Sequence, residues 1–151
     1  MNDELPGMTL KAIGVVRNAV NQAPGFGYNW PDIVSEIIID SSLTEALDGL
    51  DEFSHIIVLW WMHQSTGQSP NKIHPRGNRA LPLTGLFATR SPRRPNPIGK
   101  ATVRLLQRQD NVLKVKGLDA IDGTPVIDIK PYIPGYDSAT DARIPSWLNK
   151  Q

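Results

Sequence analysis

The stretch Ala88 to Gly99, ATRSPRRPNPIG, restricts its own backbone more than any other part of this chain. Pro92, Pro95 and Pro97 each fix φ and remove a backbone donor. Each also biases the preceding residue, here Ser91, Arg94 and Asn96, towards extended geometry. Neither a helix nor a central strand tolerates that pattern. The segment reads as a stiffened loop that carries Arg90, Arg93 and Arg94 in set positions. Guanidinium groups suit phosphates, carboxylates and aromatic faces, and a loop stiffened beforehand loses less entropy when it binds an anion. A solvated basic turn is the plainer alternative.

The charge distribution around the loop bears on that choice. The 151 residues carry a net charge of only +1, yet no Asp or Glu occurs from Phe53 to Gln109. That window holds nine of the 16 Lys and Arg residues: Lys72, Arg76, Arg79, Arg90, Arg93, Arg94, Lys100, Arg104 and Arg108. Such an arrangement points to an anionic partner, nucleic acid first, unless the bases scatter over several faces and pair with distant acids. The length fits one domain with a substantial core. No apolar run approaches the roughly 18 residues of a membrane span, and MNDELPGM has neither part of a secretion signal. A cytoplasmic setting follows as the expectation. The absence of cysteine removes disulfides, thiolate metal sites and thiol nucleophiles.

Apolar patterning predicts many short strands. Residues 9–16 form the first, and Ile33 to Ile39 a β-branched second. Between them lies a Gly-, Asn- and Pro-rich loop with Phe26, Tyr28 and Trp30, whose rings either stack on bases or pin the loop to the core. Ser42-Leu43-Thr44-Glu45 has the form of a capping box and predicts a short helix with Leu43, Ala46, Leu47 and Leu50 on one face. Ile56 to Met62 is too short for most helices and fits a strand buried on both faces. It leads into His63 and Gln64. Residues 65–82 form a long basic loop of a length that is usually functional or disordered. Gly85 to Thr89 predicts a strand that delivers Arg90. Ala101 to Leu106 and Val112 to Leu118 alternate in polarity around Asp110-Asn111, which is a hairpin. Val126 to Ile129 is a last strand, and the Pro-rich tail from Lys130 is irregular. The fold class is mainly β, a single-domain barrel or compact sheet over 1–151 with its core at about 9–134 and one or two short helices.

No Gly-x-Gly-x-x-Gly, P-loop, His-Glu-x-x-His or Gly-x-Ser-x-Gly motif is present. His55, His63 and His74 lack metal-ligand spacing, so no metal is expected. His55, directly before the buried run, reads as structural, and His63 as either structural or part of a site. Ser91 has no base beside it. Asp119 either bonds backbone amides or accepts from a ribose hydroxyl or an amine; Asp122, before Gly123, suits a turn.

Three phrases together, FSHIIVLWWMHQ, GLFATRSPRRPNPIG and LDAIDGTPVIDIKPYIP, resemble in order and spacing the TsaA-like proteins of the TrmO/YaeB type, from about Ile13 to Pro134. The resemblance implies a single-sheet β-barrel that binds S-adenosylmethionine, a homodimer with the cofactor near the subunit interface, and methylation of N6 of threonylcarbamoyl-adenosine at position 37 of tRNA, in the anticodon loop. It implies a cofactor site at His63, Gln64, Arg90, Lys100 and Leu118-Asp119-Ala120-Ile121. The loop after the first strand contributes as well; where the family often has Pro-Arg-Gln, this chain has Tyr28-Asn29-Trp30. The chain reads as a short form without the C-terminal domain of longer bacterial members. For such chemistry an acceptor near the amine helps as charge develops, and Asp119 and Asn96 are the candidates. Arg76, Arg79, Arg93 and Arg94 are the candidates for RNA phosphates. The alternatives are a regulator that binds S-adenosylmethionine or a nucleotide without catalysis, and a plain RNA-binding protein.

Overall fold

Six antiparallel strands close on themselves in the order β1-β2-β7-β6-β3-β8. They are β1 (Gly14–Arg17), β2 (Val34–Ile39), β3 (His55–Trp61), β6 (Ile98–Gln109), β7 (Val112–Lys116) and β8 (Pro125–Pro131). A separate pair, β4 (Lys72–Ile73) and β5 (Thr84–Gly85), lies within the long connection from β3 to β6. The computed structural model describes residues 4–25 and 28–150; Phe26, a candidate aromatic of the first loop, lies outside them. Among the described residues no helix is long and apolar enough to cross a membrane.

Strand alternation builds the core. Leu113 and Val115 face inward from β7 while Lys114 and Lys116 face solvent. Val16, Ile37, Ile39, Ile56, Val58, Val103 and Val126 join them in one buried cluster. Each such side chain fully buried stabilises the fold by about 1.5–3 kcal/mol relative to exposure. In β3, Ile57 is buried as well as Ile56 and Val58, as a strand covered on both faces requires. The β6–β7 hairpin turns at Asp110, whose φ of 52° is left-handed. Asn111 Nδ2 donates to the Ile39 carbonyl at 2.7 Å and ties the turn to β2.

Several boundaries differ from the sequence reading. The first strand starts at Gly14 rather than residue 9, because its partners run out: Gly14 already pairs with Ile39, the last residue of β2. The expected helix is a 3-10 segment, Ser41–Leu47, capped not by Ser42 but two residues earlier by Asp40, whose Oδ1 accepts from Ser42 N at 2.9 Å. Three residues per turn instead of 3.6 leave Leu47 buried but Leu43 and Ala46 exposed. Of the expected strand Gly85 to Thr89 only Gly85 lies in a strand, at the end of β5, and Leu86–Ala88 is a 3-10 turn. β7 stops at Lys116, since Gly117 takes a φ of 96°. β6 is far longer than expected. It starts at Ile98, and its first half pairs with β3 while its second pairs with β7. The expected irregular tail begins later than Lys130, because β8 runs on to Pro131, and beyond it the chain forms one α-helical turn, α1 (Pro134–Asp137), and a 3-10 segment, Ser146–Lys150.

Candidate functional site

β1, β3 and β7 run towards one end of the barrel, and β2, β6 and β8 start from it. The connections 18–33, 62–97 and 117–124 therefore all emerge at that end. Every residue singled out from sequence as a site candidate lies in one of these three connections, except Lys100, which is an exposed residue near the start of β6. The first connection brings Tyr28, Asn29 and Trp30, and the last Leu118, Asp119, Ala120 and Ile121. The middle one carries His63, Gln64, Arg76, Arg79, Arg90, Arg93, Arg94 and Asn96. At the opposite end, a cavity of about 600 Å³ is lined by Leu43, Leu47, Leu50 and Phe53 with Asp48, Glu52 and Asp128 at its edge, and contains none of the candidates.

The Pro-rich loop is held by its own polar atoms. Thr89 is buried; its Oγ1 donates to Leu86 O at 2.7 Å and accepts from Ser91 N. Ser91 Oγ accepts from Arg93 N, a loop contact that fits its lack of a nearby base. Ser65 Oγ donates to Pro92 O at 2.9 Å from across the connection. Arg94 is half-buried. Its Nη1 donates to the carbonyls of Thr89 at 2.9 Å and Ser91 at 3.2 Å, and its guanidinium lies 5.6 Å from the Phe87 ring centre. Arg93, its sequence neighbour, is exposed. The two arginines look equivalent in sequence and have different surroundings. Arg94→Ala is expected to destabilise by about 1–2 kcal/mol through two lost carbonyl bonds, and Arg93→Ala to leave the melting temperature unchanged. A melt of both variants checks this.

The far end of the loop is bound to the barrel. Pro97 O accepts from Met62 N at 2.7 Å, and Gly99 pairs with Trp60. Beside it His63 is half-buried, with its Nδ1 sealed from solvent and without a hydrogen-bond partner. Among the described residues only Ser69 Oγ shares that condition, and it lies in the same connection. A buried polar atom left without a partner calls for a ligand or water, which is the signal that sequence alone could not give for His63.

The 117–124 connection is secured by a residue that sequence reasoning passed over. Asn18, just past β1, donates from Nδ2 to Ala120 O at 2.8 Å and Ser35 Oγ at 3.0 Å, and its Oδ1 accepts from Val20 N. Its backbone N–H donates to Asp122 Oδ1 at 3.0 Å, so Asp122 bonds the neighbouring loop rather than its own turn. Leu118, Ala120 and Ile121 are buried and fix the segment, which leaves Asp119 reaching solvent between them. Protein mass around its carboxylate nonetheless disfavours the charge and raises its pKa above the usual 3.8, against the lowering effects of its own backbone N–H and of the Arg90 charge. The Arg90 charge acts on Asp119 from the neighbouring connection. Tyr28 and Trp30 pack edge to face at 4.9 Å, with Tyr28 exposed and Trp30 half-buried, and Asn29 donates to the Asp32 carboxylate. His55 bonds Ser54 Oγ through Nδ1 and lies edge-on to Tyr132, at the end away from the site.

A second depression of about 800 Å³ adjoins the Pro-rich loop. Arg76, Arg90 and Arg93 line it with Phe87, and Trp147 and Leu148 of the tail form one wall. Arg79 and Arg94 are not part of this lining. Of the nine basic residues in the acid-free window, only Arg108 forms an ion pair among the described residues, with Asp48 at 3.0 Å near the opposite end. Internal pairing therefore does not account for the basic window. No group of three or more potential metal ligands occurs among the described residues.

Comparison with known proteins finds a matching family model, related sequences and similar solved structures. A family model described as tRNA-methyltransferase O N-terminal domain matches residues 17–138. Two archaeal proteins, each described as a probable S-adenosyl-L-methionine-binding protein, are 44% identical to this chain. The match with the Archaeoglobus fulgidus protein covers 93% of this chain but 38% of that protein, and the match with the Methanothermobacter thermautotrophicus protein 85% and 93%. The Escherichia coli tRNA (adenine(37)-N6)-methyltransferase is 39% identical over 86% of this chain and 60% of the enzyme. A crystal structure of TrmO from Pseudomonas aeruginosa superposes with a TM-score of 0.73 at 34% identity, covering 93% of this chain and 62% of that one. The chain thus spans less than two thirds of the bacterial proteins it matches.

Proposed function

The chain belongs to the tRNA-methyltransferase O N-terminal domain family, and from that premise we propose that it methylates N6 of threonylcarbamoyl-adenosine at position 37 of tRNA, with S-adenosylmethionine as methyl donor. The observation that carries the reading is the convergence at one barrel end of Asp119, desolvated and under the charge of Arg90, with His63, whose buried Nδ1 lacks a partner. The residues present fit that donor. His63, Gln64, Arg90, Lys100 and the 118–121 segment would hold it, with the cations suited to a carboxylate and Asp119 to a hydroxyl or amine. When bound, S-adenosylmethionine supplies an activated methyl group and needs no metal. The chain's residues then have to orient the acceptor nitrogen and exclude water. Asp119 accepts a hydrogen bond from the amine as positive charge develops there, with Asn96 as the other candidate acceptor. Exposed Arg76, Arg79 and Arg93 hold phosphates, while Arg94 keeps the loop in shape. A homodimer, the anticodon loop as target and a cytoplasmic setting belong to the same reading.

The description of the archaeal relatives favours a second reading, a binding protein that senses S-adenosylmethionine through the same site. Nucleoside analysis of tRNA from a strain lacking the protein separates the two. The proposal expects the methylated threonylcarbamoyl-adenosine to disappear and its unmethylated precursor to accumulate. Full retention of the methylated form, together with a rise in melting temperature on adding S-adenosylmethionine, would leave the sensor standing instead. No rise in melting temperature at saturating cofactor would sink both.

A further inference from the structure

The 800 Å³ depression beside the Pro-rich loop has a lining that, apart from Arg90, the proposed cofactor site does not use. Three guanidinium-bearing residues, Arg76, Arg90 and Arg93, line it, and among the described residues no carboxylate does. Two aromatic residues from distant parts of the chain also line it: Phe87, with 78% of its surface exposed, and Trp147 of the tail. Arg76 sits in the left-handed region, φ 58° and ψ 20°, next to Gly77 with φ 68°. A non-glycine residue kept in that conformation marks a position the surrounding structure imposes, and here that position is an arginine in the lining of the cleft. Cations beside flat apolar faces, with no acid among them, match a phosphodiester strand with an unstacked base.

We propose that Trp147 and Phe87 bind one unpaired RNA nucleotide, stacking its base, while Arg76 and Arg93 hold the adjoining phosphates. This rests on the RNA reading above and names the subsite of the strand. Arg90 lines the cleft and is also one of the residues proposed to hold the cofactor, so the two sites adjoin. The nucleotide in this cleft is therefore a neighbour of the methylated base and not that base. The tail segment Ser146–Lys150 is then a wall of the binding site and not a loose end.

The test uses the full chain and two RNA probes, a hairpin with an unpaired loop and a fully paired duplex of equal length. Trp147→Ala is expected to weaken hairpin binding about 5- to 100-fold, the loss of one stacked base. Duplex binding, S-adenosylmethionine affinity by calorimetry and the melting temperature stay as in the wild type. Trp147→Phe restores most of the hairpin affinity, because a smaller ring still stacks. Arg76→Ala reduces the salt dependence of hairpin binding by about one counterion. If the wild type binds the hairpin and Trp147→Ala binds it equally well, the subsite is wrong while the RNA reading survives. Tighter binding by Trp147→Ala would make the tail a plug and overturn the proposal. A wild type that binds neither RNA overturns the RNA reading and this inference with it.

Discussion

Asp119→Asn is expected to lower the rate of methyl transfer by about 10²- to 10³-fold, the usual range for losing a positioned charged acceptor, while KM for S-adenosylmethionine changes little. The substitution keeps the shape of the side chain and its carbonyl oxygen but removes the charge that strengthens an amine hydrogen bond. If Asp119 instead holds a ribose hydroxyl, KM for the cofactor rises and kcat is preserved. Single-turnover assays with purified tRNA and a cofactor titration tell the two apart. The pH dependence adds a second signature. Desolvation raises the pKa of Asp119, so the active charged form accumulates only above the ordinary carboxylate range, and the acid limb of kcat lies higher than for a free aspartate. The same shift acts on stability with the opposite sense. The folded chain holds this proton more tightly than the unfolded chain, so the Asp119 contribution to stability falls as pH rises from the unfolded value through the raised one. Asp119→Asn removes that slope, and melts from acidic to neutral pH would record it.

Gly99→Ala is expected to cost about 2–3 kcal/mol through overpacking, with a fall in melting temperature of roughly 5–10 °C for a domain of this size. A Cβ at this position would meet the Trp60 indole at 2.3 to 2.6 Å, inside any allowed contact. Both residues are buried and are paired partners in β3 and β6, so neither can move without opening the ladder. The effect reaches the site as well. Gly99 ends the Pro-rich loop, and Pro97 O receives the Met62 N–H immediately before His63. Cofactor affinity should therefore fall along with stability. Trp60→Phe in the Gly99→Ala background would make room and recover part of the melting temperature. A Gly99→Ala variant that melts within a degree of the wild type would refute this packing argument.

The strands that face solvent on one side were legible from residue order. Leu113 and Val115 alternate with Lys114 and Lys116, and one such period assigns both the strand and its inner face. The uninterrupted apolar run of β3 was legible for another reason: it is too short for most helices and fits a strand buried on both faces. The start of β6 was not, because Pro97, Ile98 and Gly99 have the composition of a loop. Ile98 and Gly99 become strand through the ladder with Trp61 and Trp60, nearly forty positions earlier in the chain. The site was legible as segments, since the resemblance named them by phrase, but not as a place. Their meeting at one end follows from strand directions that only the closed topology provides. Asn18 left no local trace, being one asparagine in a loop rich in Gly, Asn and Pro. Arg93 and Arg94 are chemically identical in sequence, and only the positions of the Thr89 and Ser91 carbonyls separate them. Trp147 sits in a tail without periodicity, and nothing local connects it to an arginine loop more than fifty residues away.

Barrel closure has a consequence for self-association. Each of the six barrel strands has a neighbour on both sides, so the sheet offers no row of unpaired amides and carbonyls to a second copy. Among the described residues, open edges exist only on β4 and β5, which are two residues each and include Lys72. A dimer of this chain cannot form by continuing the sheet from one protomer into the next. It has to assemble through side-chain surfaces, and its contacts will respond to single-residue substitution rather than to changes in backbone register.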